Sequence, residues 1–286
     1  MADFPNTIYI LAFDYDVVVR ALSKVQHGDG KEYLEKVIQV PFEIPAPSMK
    51  NIHDALFSKL NTILGDIPED RWAKVTWAEL FQFGLQKYIR SIRDVIRYTN
   101  VFLLKYELLK DETDPVDLLG LTALQVFEPV LYSKLPSYKD SLCGSNRSHS
   151  HESQKTDEEK VKKTLSLLIP NDRTITNMEA VNNILGILFP RTRTATGISY
   201  SIGRDYSYRD FLINNNIAVP DCFDRYFALA LENGAIPTAT MKYLIYESNE
   251  SELTEGIVRL YQEGKIIRLL EAVSYTHLRA HETSAH

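Results

Sequence analysis

The 286 residues are 44% apolar and 24% charged, ordinary proportions for a globular chain of one large or two small domains. A formal net charge of -6 gives no long-range attraction to nucleic acid or anionic lipid. The two cysteines, Cys143 and Cys222, make no disulfide framework and point to a reducing cytoplasm, no stretch is long and apolar enough to span a bilayer, and the first residues lack the basic start and apolar run of a signal peptide.

Thr7 to Phe13 is a continuous apolar run, the pattern of a strand buried on both faces inside a parallel sheet. So little precedes it that it reads as an interior strand without its neighbours. Helical spacing follows over Val17 to Val25, with Asp16 as the expected cap. His27 to Gly30 is a turn, Lys31 to Lys36 a short helix, and Val37 to Phe42 a second strand stopped by prolines. Ser48 is the expected cap of a helix over 49–64. Further periodic apolar patterns cover 74–88, 92–109 and 114–135, the last opened by Asp114 as cap and Pro115 at the first helical position. Residues 144–159 hold no apolar side chain and are expected to form a flexible linker. Helical patterns resume at about 158–169, 176–189, 206–213, 221–233, 238–247 and 251–264.

Residues 273–283, Val-Ser-Tyr-Thr-His-Leu-Arg-Ala-His-Glu-Thr, back-translate to a transposon-type sequencing adapter read in frame, with Ser284 to His286 as index bases. The segment 273–286 is therefore expected to be non-native, and His277, His281 and His286 are no candidate ligands.

A phosphate-binding loop needs Gly-x-x-x-x-Gly-Lys-Ser/Thr, since backbone N–H groups cradle phosphate while the lysine and hydroxyl handle charge and Mg²⁺. Gly264-Lys265 has Arg259 in place of the first glycine and Ile266 in place of the hydroxyl, and Gly30-Lys31 fails in the same way. The chain alone is expected not to bind ATP in the usual manner. By pattern alone, Asp14 at the end of an apolar strand fits a Walker B acid and a plain strand terminus equally well. Arg90, Arg93 and Arg97 are spaced to share one helix face, as a phosphate-directed set or as a solvated basic stripe pairing with Asp94, Glu107 or Asp111. His149-Ser150-His151 lacks a third ligand for a metal. Pro190-Arg191-Thr192-Arg193-Thr194 is a basic loop too small to signal nucleic acid. The aromatic residues Tyr200, Tyr206, Tyr208, Phe211, Phe223, Tyr226 and Phe227 read as core packing or as a protein partner surface.

Pro5-Asn6-Thr7-Ile8-Tyr9-Ile10-Leu11-Ala12-Phe13-Asp14-Tyr15-Asp16-Val17-Val18 resembles the strand after Walker B in the KAP family of P-loop NTPases. Gly30-Lys31-Glu32-Tyr33-Leu34-Glu35-Lys36-Val37-Ile38-Gln39-Val40-Pro41-Phe42-Glu43-Ile44-Pro45 resembles that family's most recognisable stretch. Arg93-Asp94-Val95-Ile96-Arg97-Tyr98-Thr99-Asn100 is similar to a family helix that usually opens with Pro where this chain has Ile92. Weaker similarity runs through Asp117 to Leu124, Phe127-Glu128-Pro129, Tyr208 to Phe211 and Phe223 to Phe227.

The resemblance implies an α/β remnant of a P-loop NTPase domain over 1–47, followed by a mainly α-helical region, mostly α overall. That region divides into a helical lid at 48–143, the linker at 144–159 and a C-terminal helical part at 160–272. Walker A and Walker B would both precede Met1. The resemblance places Asp14 at the sensor position and Arg93 as the lid arginine nearest the γ-phosphate, with Arg90 and Arg97 flanking it. ATP and Mg²⁺ are implied for the intact protein and an ATPase activity with them. The alternative is a non-enzymatic helical interaction module with its partner surface in 160–270.

Overall fold

The structure, a computed structural model, describes residues 8–26, 28–65, 67–143, 151–169, 177–197, 214–228, 236–267 and 269–270. The chain divides into two compact units, 1–47 and 48–286.

In the first unit Asp14 caps helix α1 (Tyr15–Gln26): its Oδ1 accepts from Val17 N at 3.0 Å and its carbonyl from Val18 N at 3.1 Å. The expected cap, Asp16, lies instead in the first turn, where its charge meets the positive end of the helix dipole. Asp29 caps helix α2 (Gly30–Val37) through Lys31 N at 2.9 Å. The two helices meet at Gly30. A Cβ there would stand 2.3 Å from the Val19 carbonyl oxygen, so only glycine permits the approach, and its N–H donates to Ser23 Oγ at 3.0 Å.

Neither expected strand forms: among the described residues there is no strand, and the chain is mostly helical rather than α/β. A strand is defined by its neighbours, which take up its backbone N–H and C=O groups. Residues 8–14 are non-helical, and no strand lies beside them among the described residues. Val37 is drawn into α2, whose end is closed by Ile38 N donating to Leu34 O at 2.8 Å. Beyond it Pro41, Pro45 and Pro47 have no N–H to give a ladder.

The second unit opens with α3 (Met49–Leu64), capped by Ser48 Oγ, which accepts from Asn51 N at 3.2 Å. The pattern over 74–88 becomes one helical rod of changing pitch: α4 (Lys74–Glu79), a π-helical segment (Leu80–Gly84) and a 3-10 turn (Leu85–Lys87). Ser91 caps α5 (Ile92–Leu109), and Asp114 caps α6 (Pro115–Phe127) with proline at its start. Glu128-Pro129 breaks the expected single helix over 114–135, since proline cannot donate to the preceding turn. The chain continues through α7 (Pro129–Lys134), a 3-10 turn (Leu135–Tyr138) and α8 (Lys139–Leu142).

Helix α9 (His151–Leu168) begins inside the stretch expected as a linker. Its charged residues are strong helix formers, and Val161, Leu165 and Leu168 bury the face that anchors it. Next come α10 (Met178–Leu188), α11 (Arg193–Thr196) and α12 (Pro220–Phe223). Finally α13 (Thr238–Lys242) runs into a π-helical segment (Tyr243–Glu247), and α14 (Glu250–Gln262) starts with a capping box between Asn249 and Glu252.

The main core gathers around α6, in which Val116, Leu118, Leu119, Leu121, Ala123 and Leu124 are all fully buried. A helix apolar on every side is stable only when packed on every side. Helices α5, α7 and α10 and the π-helical segment surround it. A smaller cluster of Ile236, Leu244, Leu260 and Leu269 belongs to α13, α14 and their flanks. The helix expected at 206–213 and the tail at 273–286 lie outside the described residues, as does His149.

Candidate functional site

Asp14 and the three arginines fall in different units, and each set is described by itself. Asp14 is exposed. One carboxylate oxygen serves the α1 cap, and Oδ2 has no hydrogen-bond partner among the described residues. Just before it, Ile8 and Ile10 are 88% and 91% exposed while Tyr9 and Leu11 are about half covered, at 48% and 50%. This alternation is that of an extended segment with one face resting on its own unit and the other bare. Ile10, Leu11 and Phe13 of this segment border an open apolar groove of about 380 Å³, lined on the helical side by Val18, Leu22, Leu34 and Val37.

The arginines do not share one helix face. Arg90 precedes the cap of α5 and donates from Nε to Lys87 O at 3.1 Å. Arg97 donates from Nη2 to Val126 O at 3.3 Å, stands over the Phe127 ring at 6.0 Å and lies 4.0 Å from Asp94. Asp94 is the hub of the turn: its Oδ2 accepts from Ser91 Oγ at 2.7 Å and from Arg90 N at 3.3 Å, while its own N–H donates to Ser91 Oγ at 3.2 Å. Ile92 occupies the first helical turn without displacing this cap. Arg93 is exposed and has no hydrogen-bond or ion-pair partner among the described residues. It sits in the first turn of α5, where the helix dipole already favours an anion.

Neither Gly-Lys step forms a phosphate cradle. At Gly30-Lys31 the free N–H of Lys31 is taken by the Asp29 carboxylate, whose charge repels phosphate. Gly264, with φ of 72°, closes the C-terminal end of α14, and Lys265 N bonds back to Leu260 O at 2.8 Å. That is the negative end of a helix dipole. The residues described therefore do not by themselves fit a triphosphate.

Arg191 and Arg193, expected in an open basic loop, are spent on carbonyl oxygens. Arg191 Nη1 donates to Asp140 O and Cys143 O at 3.0 and 3.1 Å, and Arg193 Nε to Gly186 O at 2.9 Å. Phe223 and Tyr226 are fully buried. Tyr200, Tyr206, Tyr208 and Phe211 lie outside the described residues. Among the described residues no three His, Cys, Asp or Glu side chains gather as metal ligands, and no helix is long and apolar enough to cross a membrane.

Four buried polar groupings carry no linear signature. Asp117 Oδ2 accepts from Asn216 Nδ2 and Ile217 N at 3.0 and 2.9 Å. Tyr226 Oη accepts from Asp114 N at 2.8 Å and donates to Asn215 O at 2.7 Å. Tyr88 Oη donates to Glu128 Oε1 at 2.9 Å, and burial, with the Glu128 charge beside it, holds the phenol well above its ordinary range. Lys105, 4% exposed, donates to Tyr132 Oη at 3.0 Å, and burial lowers its ammonium to about 8. All of these join segments distant in sequence, and only the caps among them follow a local pattern.

Residues 1–109 match the KAP family P-loop domain. The match ends with the last residue of α5, so it takes in Asp14, Arg90, Arg93 and Arg97. The phage T7 exclusion protein of Escherichia coli (strain K12) is 25% identical over 149 residues, covering 48% of this chain and 19% of that protein. The chain thus spans about a fifth of that relative's length. No solved structure matches it.

Proposed function

We propose that this chain is the C-terminal portion of a KAP-type P-loop NTPase that, when complete, binds and hydrolyses ATP with Mg²⁺ to drive a conformational change, and that alone it is inactive. The observation that carries the reading is the extended segment 8–14. It lies inside the KAP P-loop match, is strongly apolar, and leaves Ile8 and Ile10 almost wholly bare with no strand beside them among the described residues. Apolar side chains at that exposure cost roughly 25 cal/mol per Å² left in water, which suits a segment meant for the interior of a larger sheet. In this reading Asp14 is the acid at the sensor position, and Arg93 is the arginine presented to developing phosphate charge, as its freedom from other partners permits. Arg90 and Arg97 shape the turn around it. The phosphate cradle belongs to residues that this chain does not contain.

Calorimetric titration with Mg²⁺-ATP, alongside a turnover assay, tests this. The chain alone should show neither, and the chain joined to a preceding segment bearing Gly-x-x-x-x-Gly-Lys-Ser/Thr should show both. Saturable micromolar binding by the chain alone would overturn the fragment reading.

A second reading, a helical interaction module, has one observation in its favour. The cluster around α14 buries only four apolar residues among those described, while Val258, Tyr261 and Ile267 stay exposed beside it. An amphipathic helix this thinly covered is a natural contact for another protein. Deleting 236–270 separates the two readings, because a lost partner with unchanged turnover in the completed NTPase assigns the region to binding.

A further inference from the structure

The outer face of α5 carries its own chemistry. Its inner face, Val95, Tyr98, Phe102 and Leu109, is buried in the core. Outside, the residues four apart are Ile92, Ile96, Asn100, Leu104 and Leu108, all exposed, with Leu104 at 61%. Residues four apart form a ridge on a helix surface. An exposed row of four large aliphatic residues interrupted only by Asn100 is not what a solvated helix face presents.

The row is also symmetric about Asn100. Read in either direction it is two aliphatic residues, an asparagine, two aliphatic residues. The charges beside it are antisymmetric. Arg93, which has no partner among the described residues, lies seven positions before Asn100, and the exposed Glu107 lies seven after, held only by a surface contact with Lys110 at 3.6 Å. At 1.5 Å rise per residue each is about 10 Å along the axis from Asn100.

We propose that this face docks a second copy of the chain, the two α5 helices antiparallel about a two-fold axis at Asn100. The rotation sets Ile96 against the partner's Leu104 and Arg93 against the partner's Glu107, with the converse pair generated by symmetry, as a two-fold interface requires. Asn100 meets the partner's Asn100, where paired amides satisfy each other and penalise any shifted register. Arg93 in this interface is turned from any nucleotide, so association through α5 is a state distinct from a nucleotide-engaged one. The inference rests on the geometry of α5 and not on the NTPase reading.

Sedimentation equilibrium of the full 286-residue chain, without nucleotide, decides it. The expected mass rises with concentration from 32.8 kDa toward twice that value. Leu104→Glu should leave a monomer. Arg93→Glu and Glu107→Arg should each weaken the dimer by about tenfold, two symmetric ion pairs being turned to repulsion. Combining the two should restore it to within a few-fold of the parent, roughly the spread expected of a re-formed pair. All three positions are on the surface, and unchanged helical circular dichroism checks the fold of each variant. A parent that stays monomeric overturns the proposal, as does a dimer indifferent to Leu104→Glu or a charge swap that fails to rescue. ATP binding is not read in this experiment, so its failure leaves the NTPase reading standing.

Discussion

Asn183 donates from Nδ2 to the carbonyl oxygen of Phe83 at 3.2 Å, one hundred residues away, and to Glu179 O of its own helix at 2.9 Å. Phe83 lies in the π-helical segment Leu80–Gly84, so the Asn183 amide ties that segment to α10. Replacing Asn183 by Leu removes both of these part-buried hydrogen bonds and should destabilise the fold by about 1–3 kcal/mol. Urea denaturation followed by far-UV circular dichroism measures it, and an unchanged midpoint would mean that the Asn183 amide adds no net stability.

Gly84 ends the same segment, and a Cβ there would stand 2.6 Å from Ile184 Cγ1. Gly84→Ala should therefore destabilise by about 1–3 kcal/mol, the usual cost of overpacking, despite the gain in helix propensity. Pairing it with Ile184→Ala, which removes that Cγ1, should cost less than the sum of the two single changes. Simple addition of the two effects in a double-mutant cycle would show that the residues do not press on each other.

The caps Ser48 and Asp114 were legible because a cap is local: a short polar side chain before an apolar period. The break at Pro129 and the pitch change at Leu80 were less so, since a period continues across both. The failure at 7–13 and 37–42 has a different cause. Apolarity reports that a segment wants burial, but a strand also needs a backbone beside it, and that information lies in another segment. Asp14 displaced Asp16 as cap because α1 begins two residues earlier than the apolar spacing suggests. The outer row of α5 was hidden because Ile92, Ile96, Leu104 and Leu108 read as core in the sequence, and only packing shows which side of the helix α6 covers.

Lys105 gives a pH signature. Burial lowers its folded-state ammonium to about 8, below the unfolded value of 10.5. Between these values the unfolded chain binds a proton that the folded chain does not, so this group adds stability as pH rises from about 8 toward 10.5; below 8 both states are charged and the penalty is constant. The full span corresponds to about 3 kcal/mol at 1.36 kcal/mol per unit. Buried tyrosines act the other way only above their ordinary range, because Tyr98 and Tyr226 hold their protons in the folded state after the unfolded chain has lost them. Lys105→Met should thus flatten the slope of stability against pH between 8 and 10. A parental slope retained in the variant would assign the effect to other groups.

Arg93 and Arg97 separate a functional role from a structural one. Arg97 is tied to Val126 O, Asp94 and the Phe127 ring, so Arg97→Ala should lower stability by about 1 kcal/mol, the usual net worth of a hydrogen bond in a folded chain. Arg93 has no such contacts among the described residues, so Arg93→Ala should leave the melting of the chain unchanged. In the completed NTPase the order should reverse. If Arg93 meets charge that develops only as the phosphoryl group transfers, its loss slows turnover and barely changes ATP affinity, because transition-state contacts act on kcat rather than on ground-state binding. A fully placed arginine finger is worth roughly a thousand-fold or more. An arginine at the start of its own helix, with Ile92 where the family usually has proline, should fall below that ceiling. Arg90 is the control, since it stands outside α5 and is directed to Lys87 O. Equal turnover for the parent, Arg90→Ala and Arg93→Ala would remove the sensor role and leave Arg93 to the α5 surface alone.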